Sequence, residues 1–111
     1  MSPITMHVLD TAAGRPARGV PVTLEFFADG AWTTLGSGVT NADGRLPGLL
    51  PDMHVLQPGT YRLTFDTAVY FAGQASFYPY VQITFNLADA SQHYHVPLLL
   101  SPFGYSTYRG S

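Results

Sequence analysis

Two histidines separated by a single residue, His93 and His95, form the first chemically suggestive pattern in this chain. In an extended strand residues i and i+2 leave the same face, so both imidazoles can converge on one site. A neutral imidazole titrates near pH ~6.5, which suits it to accepting a proton from water. The same pair is compatible with a metal centre, with His7 as a third ligand, because imidazole is a common zinc donor. Taken alone the spacing is weak, since single histidines more often serve structural or surface roles. His7 is flanked on its own face by Thr5 and Leu9, which specify no site, so an edge or interface histidine is an equal reading. Arg45 follows the turn Asn41-Ala42-Asp43-Gly44 and precedes Leu46-Pro47-Gly48, which holds it at the mouth of a loop. A guanidinium there can stack on a planar ring or hold two oxygens at once, although a solvated turn arginine is the plainer account. The chain ends in Tyr108-Arg109-Gly110-Ser111, an aromatic, a cation, a glycine, a hydroxyl and a carboxylate in close succession. An ordinary edge strand would also explain that ending. His54 lies in a proline-bounded loop and receives no role.

The elements that position these residues read as β throughout. Ile4, Met6 and Val8 alternate with Thr5, His7 and Leu9, and Val22, Leu24 and Phe26 alternate with Thr23, Glu25 and Phe27. A period of two over short runs marks half-buried strands. Asp and Gly in 41–44 tolerate the backbone of a tight turn. The segment 51–59, with two prolines and a glycine, reads as a loop, followed by strands over 60–65, 81–87 and 92–100. A turn at 101–104 leads to a last strand over 105–111, and only 66–73 could hold a short helix. Seven or eight short strands with frequent turns and one short helix predict an all-β sandwich.

With 111 residues the chain is long enough for one core and too short for two, so a single domain over 1–111 is expected. The absence of cysteine removes disulfides, thiolate zinc sites and cysteine nucleophiles. Arg15, Arg18, Arg45, Arg62 and Arg109 carry all the fixed positive charge, and the net charge of −2 gives no nucleic-acid footprint. Charged residues make up only 11% of the chain, against roughly 25% in typical domains. A surface so poor in charge suggests burial against other subunits. No run approaches the ~20 apolar residues of a membrane span. The segment 1–10 lacks the pattern of a secretory signal, so the expected compartment is cytoplasmic, with the periplasm open to a processed form.

Several segments together resemble the 5-hydroxyisourate hydrolases, also called transthyretin-like or transthyretin-related proteins. They are His7-Val8-Leu9-Asp10, Gly14-Arg15-Pro16-Ala17, Thr40 to Arg45, and His93-Tyr94-His95-Val96-Pro97 through Ser101-Pro102, with Tyr108-Arg109-Gly110-Ser111 the most specific. The resemblance covers essentially the whole chain and implies a transthyretin-like sandwich, assembled as a homotetramer with sites in a channel between subunits. It implies cofactor- and metal-independent hydrolysis of 5-hydroxyisourate to 2-oxo-4-hydroxy-4-carboxy-5-ureidoimidazoline, between urate and allantoin. By the resemblance His7, Arg45, His95 and Ser111 are catalytic, and His7, Arg45, Tyr108, Arg109 and Gly110 contact the substrate. His93 takes a supporting role. The related hormone carriers typically have lysine, glutamate and threonine where this chain has His7, Arg45 and His95, and they lack the terminal tetrapeptide. An enzyme is therefore expected, with a small-molecule carrier as the alternative. An accessory domain of a larger assembly ranks third, because both ends of the sequence read as natural ends.

Overall fold

In the first strand, β1 (Ile4–Asp10), Ile4, Met6, Val8 and Asp10 are buried and Thr5, His7 and Leu9 half-buried, the alternation expected of a strand with one face on a core. The computed structural model describes residues 2–111. The remaining elements are β2 (Arg15–Pro16), β3 (Pro21–Ala28), β4 (Ala31–Val39), β5 (Gly59–Phe65), a short helix α1 (Thr67–Tyr70), β6 (Val81–Leu87), β7 (Tyr94–Ser101) and β8 (Gly104–Thr107). They form two four-stranded sheets, ordered β2-β1-β7-β8 and β4-β3-β5-β6. Ile4, Val8, Leu98 and Leu100 from the first sheet meet Leu24, Leu63 and Phe65 from the second in one core. Each such side chain, fully removed from water, contributes about 1.5–3 kcal/mol. The expected all-β sandwich, with eight short strands and one short helix, is the observed architecture.

Two boundaries differ from the sequence reading, and one strand, β4, had no place in it, each for an identifiable reason. β4 has an irregular burial pattern with no period of two, because it is an edge strand whose ladder with β3 slips between Leu24 and Glu25. β7 begins at Tyr94 rather than at 92, since Asp89 holds Ser91 and Gln92 in a side-chain-braced turn. The helix is shorter than the 66–73 window: the Asp66 side chain accepts from the amide of Val69 at its start, and Phe71 closes it.

The terminal segment also departs from a continuous strand. Thr107 pairs with Leu98, and the ladder then stops opposite Pro97. The Pro97 carbonyl accepts a bond from the Thr107 hydroxyl at 2.7 Å, so the proline nitrogen, which has no hydrogen to give, faces the same neighbour. Pairing resumes at Gly110, whose amide donates to the His95 carbonyl at 2.8 Å, in the register the ladder would have kept.

Two features of the first sheet set the site. β1 runs parallel to β7, placing Thr5 beside His95 and His7 beside Pro97. The turn at 41–44 is clipped onto the same strand, because the amide of Val8 donates to the Gly44 carbonyl at 2.8 Å. Gly44 has φ +73°, and a Cβ there would lie 2.2 Å from the Val8 carbonyl oxygen, so no other residue fits.

Candidate active site

Arg45 is delivered by its turn. The Asn41 side-chain oxygen accepts the amides of Asp43 and Arg45 at 2.9 and 3.1 Å, and the Asn41 amide donates to the Arg45 carbonyl at 2.8 Å. The backbone of Arg45 thereby bridges that of His7. Its side chain is exposed, and among the described residues no carboxylate pairs with it. An unpaired guanidinium at a cleft is a ready partner for an oxygen-rich or anionic ligand.

His7 lies half-buried on the solvent face of β1, with Nε2 2.8 Å from the Asp43 carbonyl oxygen. A carbonyl only accepts, so that nitrogen carries the hydrogen and the lone pair of the neutral ring is on Nδ1. His95 is half-buried, and its Nδ1 lies 2.8 Å from the Thr5 hydroxyl oxygen. The same hydroxyl lies 2.9 Å from Nε2 of the exposed His93. The shared face expected of His93 and His95 is thus realised at Thr5. Burial, then the charges of Arg45, His7 and His93, hold His95 below the ordinary imidazole value. A histidine so placed stays neutral, with a proton-accepting nitrogen, into mildly acidic solution.

A cleft of about 850 Å³ gathers these groups, with Thr5, Arg45, His93, His95 and Ser111 in its wall beside Leu46, Pro47 and Asp52. Within one chain His7 borders the cleft through its bridge to Arg45 rather than lining it. The tail divides. Ser111 reaches the cleft, and Gly110 packs so closely that a Cβ would lie 2.6 Å from Cδ2 of the His95 ring. Tyr108 and Arg109 line an adjacent groove of about 330 Å³ against Thr84, Phe85 and Tyr94. Arg109 donates to Gln92 at 2.7 Å and its guanidinium lies 4.5 Å from the Tyr94 ring centre, which anchors the tail. Among the described residues no group of three or more His, Asp or Glu side chains is arranged to hold a metal ion. His54 sits half-buried in its loop, apart from the cleft.

Thr5 and Asp52 are two polar cleft residues that sequence reasoning missed, as it did Ser2 and Met6. Asp52 falls in a loop with no local motif. Thr5 had one available signal, its position two residues before His7 on the same face of β1.

The model of the HIUase/Transthyretin family matches residues 4–110. The chain belongs to that family. It is 51% identical to the 5-hydroxyisourate hydrolase of Mus musculus over 114 residues, covering 99% of this chain and 96% of that protein. Among solved structures, the 5-hydroxyisourate hydrolase of Klebsiella pneumoniae superposes with a TM-score of 0.82 at 39% identity, covering 97% of this chain and 98% of the other. Sea bream transthyretin in complex with thyroxine superposes with a TM-score of 0.90 at 34% identity, covering 98% and 95%. Family members named as hydrolase and as thyroxine complex thus share one backbone. The distinction between them lies in side chains.

Proposed function

We propose that this chain hydrolyses 5-hydroxyisourate, opening its cyclic amide C–N bond to give 2-oxo-4-hydroxy-4-carboxy-5-ureidoimidazoline. The observation that carries the reading is the convergence of Arg45, His95 and the terminal Ser111 on one cleft, in a chain about half identical to a relative of that name. Adding water to an amide needs a base for the nucleophile's proton and a positive or hydrogen-bonding group for the developing oxyanion. His95 is our choice of base: when its Nδ1–H donates to the Thr5 hydroxyl, Nε2 holds the lone pair that takes the proton. Arg45 binds the carbonyl oxygens and stabilises the charge that develops on them. His7, held through Nε2 by the Asp43 carbonyl, contacts the substrate alongside Arg45. Ser111 orients the attacking water through its hydroxyl or terminal carboxylate, and Tyr108, Arg109 and Gly110 complete the substrate enclosure.

Assembly belongs to the same proposal. β6 and β8 are each one of the two edge strands of their sheets, and both line the smaller groove. Open edges present unpaired N–H and C=O groups that a second copy can satisfy. A homotetramer accounts for these edges and for the charge-poor surface, and would place Tyr108 and Arg109 at a subunit boundary.

The test is spectroscopic. Catalytic amounts of the protein accelerate the decay of freshly generated 5-hydroxyisourate, and a chelator leaves the rate unchanged. A carrier binds without accelerating decay, and that result would remove the enzyme reading. Loss of activity with chelator would replace it by a metal-dependent one.

A further inference from the structure

We propose that Thr5 is a positioning residue that joins His95 to His93 in a proton relay, with His93 as the port through which His95 exchanges protons with solvent. The proposal rests on His95 acting as the base of the hydrolysis. Its geometric basis is the single Thr5 hydroxyl, 2.8 Å from Nδ1 of His95 and 2.9 Å from Nε2 of His93. A hydroxyl has one hydrogen and two acceptor sites. It cannot donate to both rings, so at least one of the two facing nitrogens carries a hydrogen, and the tautomers of the rings are tied together.

Two fully bonded neutral arrangements follow. In the first, His95 Nδ1–H donates to Thr5, Thr5 donates to His93, and His95 Nε2 presents a lone pair to the cleft. In the second, His93 Nε2–H donates to Thr5, Thr5 donates to His95 Nδ1, and His95 Nε2 carries a hydrogen. The first is a base and the second an acid. Hydrolysis needs both in turn, and one set of proton shifts interconverts them.

When water attacks, its oxygen bonds to the carbonyl carbon and His95 Nε2 takes its proton. The Nδ1 proton then passes to the Thr5 oxygen, the hydroxyl's own proton passes to His93 Nε2, and the exposed His93 releases its Nδ1 proton to solvent. His95 is now neutral with a hydrogen on Nε2, which it gives to the amide nitrogen as the C–N bond breaks while Nδ1 takes back the Thr5 hydroxyl proton in the same step, so that no imidazolate forms. The relay runs back, His93 takes a proton from solvent, and the first arrangement is restored. One proton leaves and one returns, so the hydrolysis balances. The surroundings favour discharging the imidazolium: burial, Arg45, His7 and His93 all act against a proton held on His95. Asp52 is the acidic side chain in the same cleft wall, with Ser111 in that wall as well.

The experiment uses the full chain with Thr5→Val, Thr5→Ser and His93→Gln. Valine keeps the β-branched shape suited to a strand and removes only the hydroxyl. We expect Thr5→Val to lower kcat by about 10- to 100-fold with little change in KM. Its acid limb moves to lower pH, because the charged His95 ring has lost an acceptor for Nδ1–H. Serine restores both parameters. His93→Gln lowers kcat at low buffer concentration and recovers as imidazole is added at fixed pH, a rescue that a purely structural role does not give. Wild-type kcat and pH profile in Thr5→Val, or a His93→Gln defect that imidazole leaves untouched, overturns the relay. Ring 15N shifts test the link without substrate: both His93 and His95 change pattern in Thr5→Val, and rings that keep their wild-type pattern overturn the relay whatever the protein hydrolyses. Failure of the wild-type chain to accelerate 5-hydroxyisourate decay would instead remove the hydrolase reading.

Discussion

At the scale of single residues, the pairing of Arg45 with His95 sets a testable pH dependence. Burial comes first and the Arg45 charge second among the causes that lower the His95 value. The base form of His95 therefore persists below the ordinary value of about 6.5, and kcat/KM falls only as pH drops through this lowered value. Arg45→Gln removes the nearby positive charge, so the acid limb moves up toward about 6.5. The same variant loses about 100- to 1000-fold in kcat/KM, the usual cost of removing a group aimed at a developing oxyanion. A limb that stays in place would show that another group is the base. The linked effect on stability has the same direction. A lowered folded-state value favours the folded chain above the unfolded imidazole value, and that contribution fades as pH falls below about 6.5. His93, His95 and Arg45 were legible in the sequence because residue type and local spacing mark them. Thr5 was not, because its importance comes from the parallel pairing of β1 with β7, segments about ninety residues apart in the chain.

At the scale of elements, the tail and the helix show how local packing serves the site. Gly110 lies against the Cγ and Cδ2 atoms of the His95 ring and Cγ of Pro97. A Cβ at this position must push either the His95 ring away from Thr5 or the tail away from the cleft. Gly110→Ala is therefore expected to lower kcat about 100-fold, the cost of displacing a reacting group by about 1 Å. The tail is mostly exposed, so Tm should stay at the wild-type value, and a fall in Tm without loss of kcat would contradict the argument. α1 is tied to β1 by a hydrogen bond of 2.6 Å from the Tyr70 hydroxyl to the Asp10 carboxylate. Burial, followed by that bond and the Asp10 charge, pushes the Tyr70 hydroxyl up to about 12. A raised folded-state value gives stability that is complete below the unfolded tyrosine value near 10 and is lost as pH rises through about 12. Tyr70→Phe leaves the buried Asp10 short of a donor and should cost about 1–3 kcal/mol in urea unfolding. Strands with one face on the core, such as β1 and β5, were readable because burial imposes a period of two. β4 escaped that reading because, as a bulged edge strand, it owes its place to backbone pairing with β3 rather than to an alternating apolar face. The tail was read as strand from its composition, and Pro97 on the partner strand decided where its ladder breaks.

At the scale of the whole molecule, an isolated chain leaves too much apolar surface in water. Phe77, Tyr80 and Phe103 are 68%, 54% and 66% exposed, in a chain only 11% of whose residues are charged. Under the proposed homotetramer sedimentation should give a mass of four chains, whereas a mass of one chain at working concentration would remove the assembly proposal. The position of the C-terminus makes that assembly consequential for activity. Ser111 lines the large cleft, while Tyr108 and Arg109 lie in the groove formed with the open edge at β6. Residues appended after Ser111 would send new chain into the cleft that the proposal gives to the substrate. We expect such an extension to reduce kcat/KM by at least about 10-fold while leaving the fold and the sedimenting mass unchanged. Cleavage of the extension back to Ser111 should restore the rate. Full activity in the extended protein would mean that the tail is only an edge strand and takes no part in the cleft's chemistry.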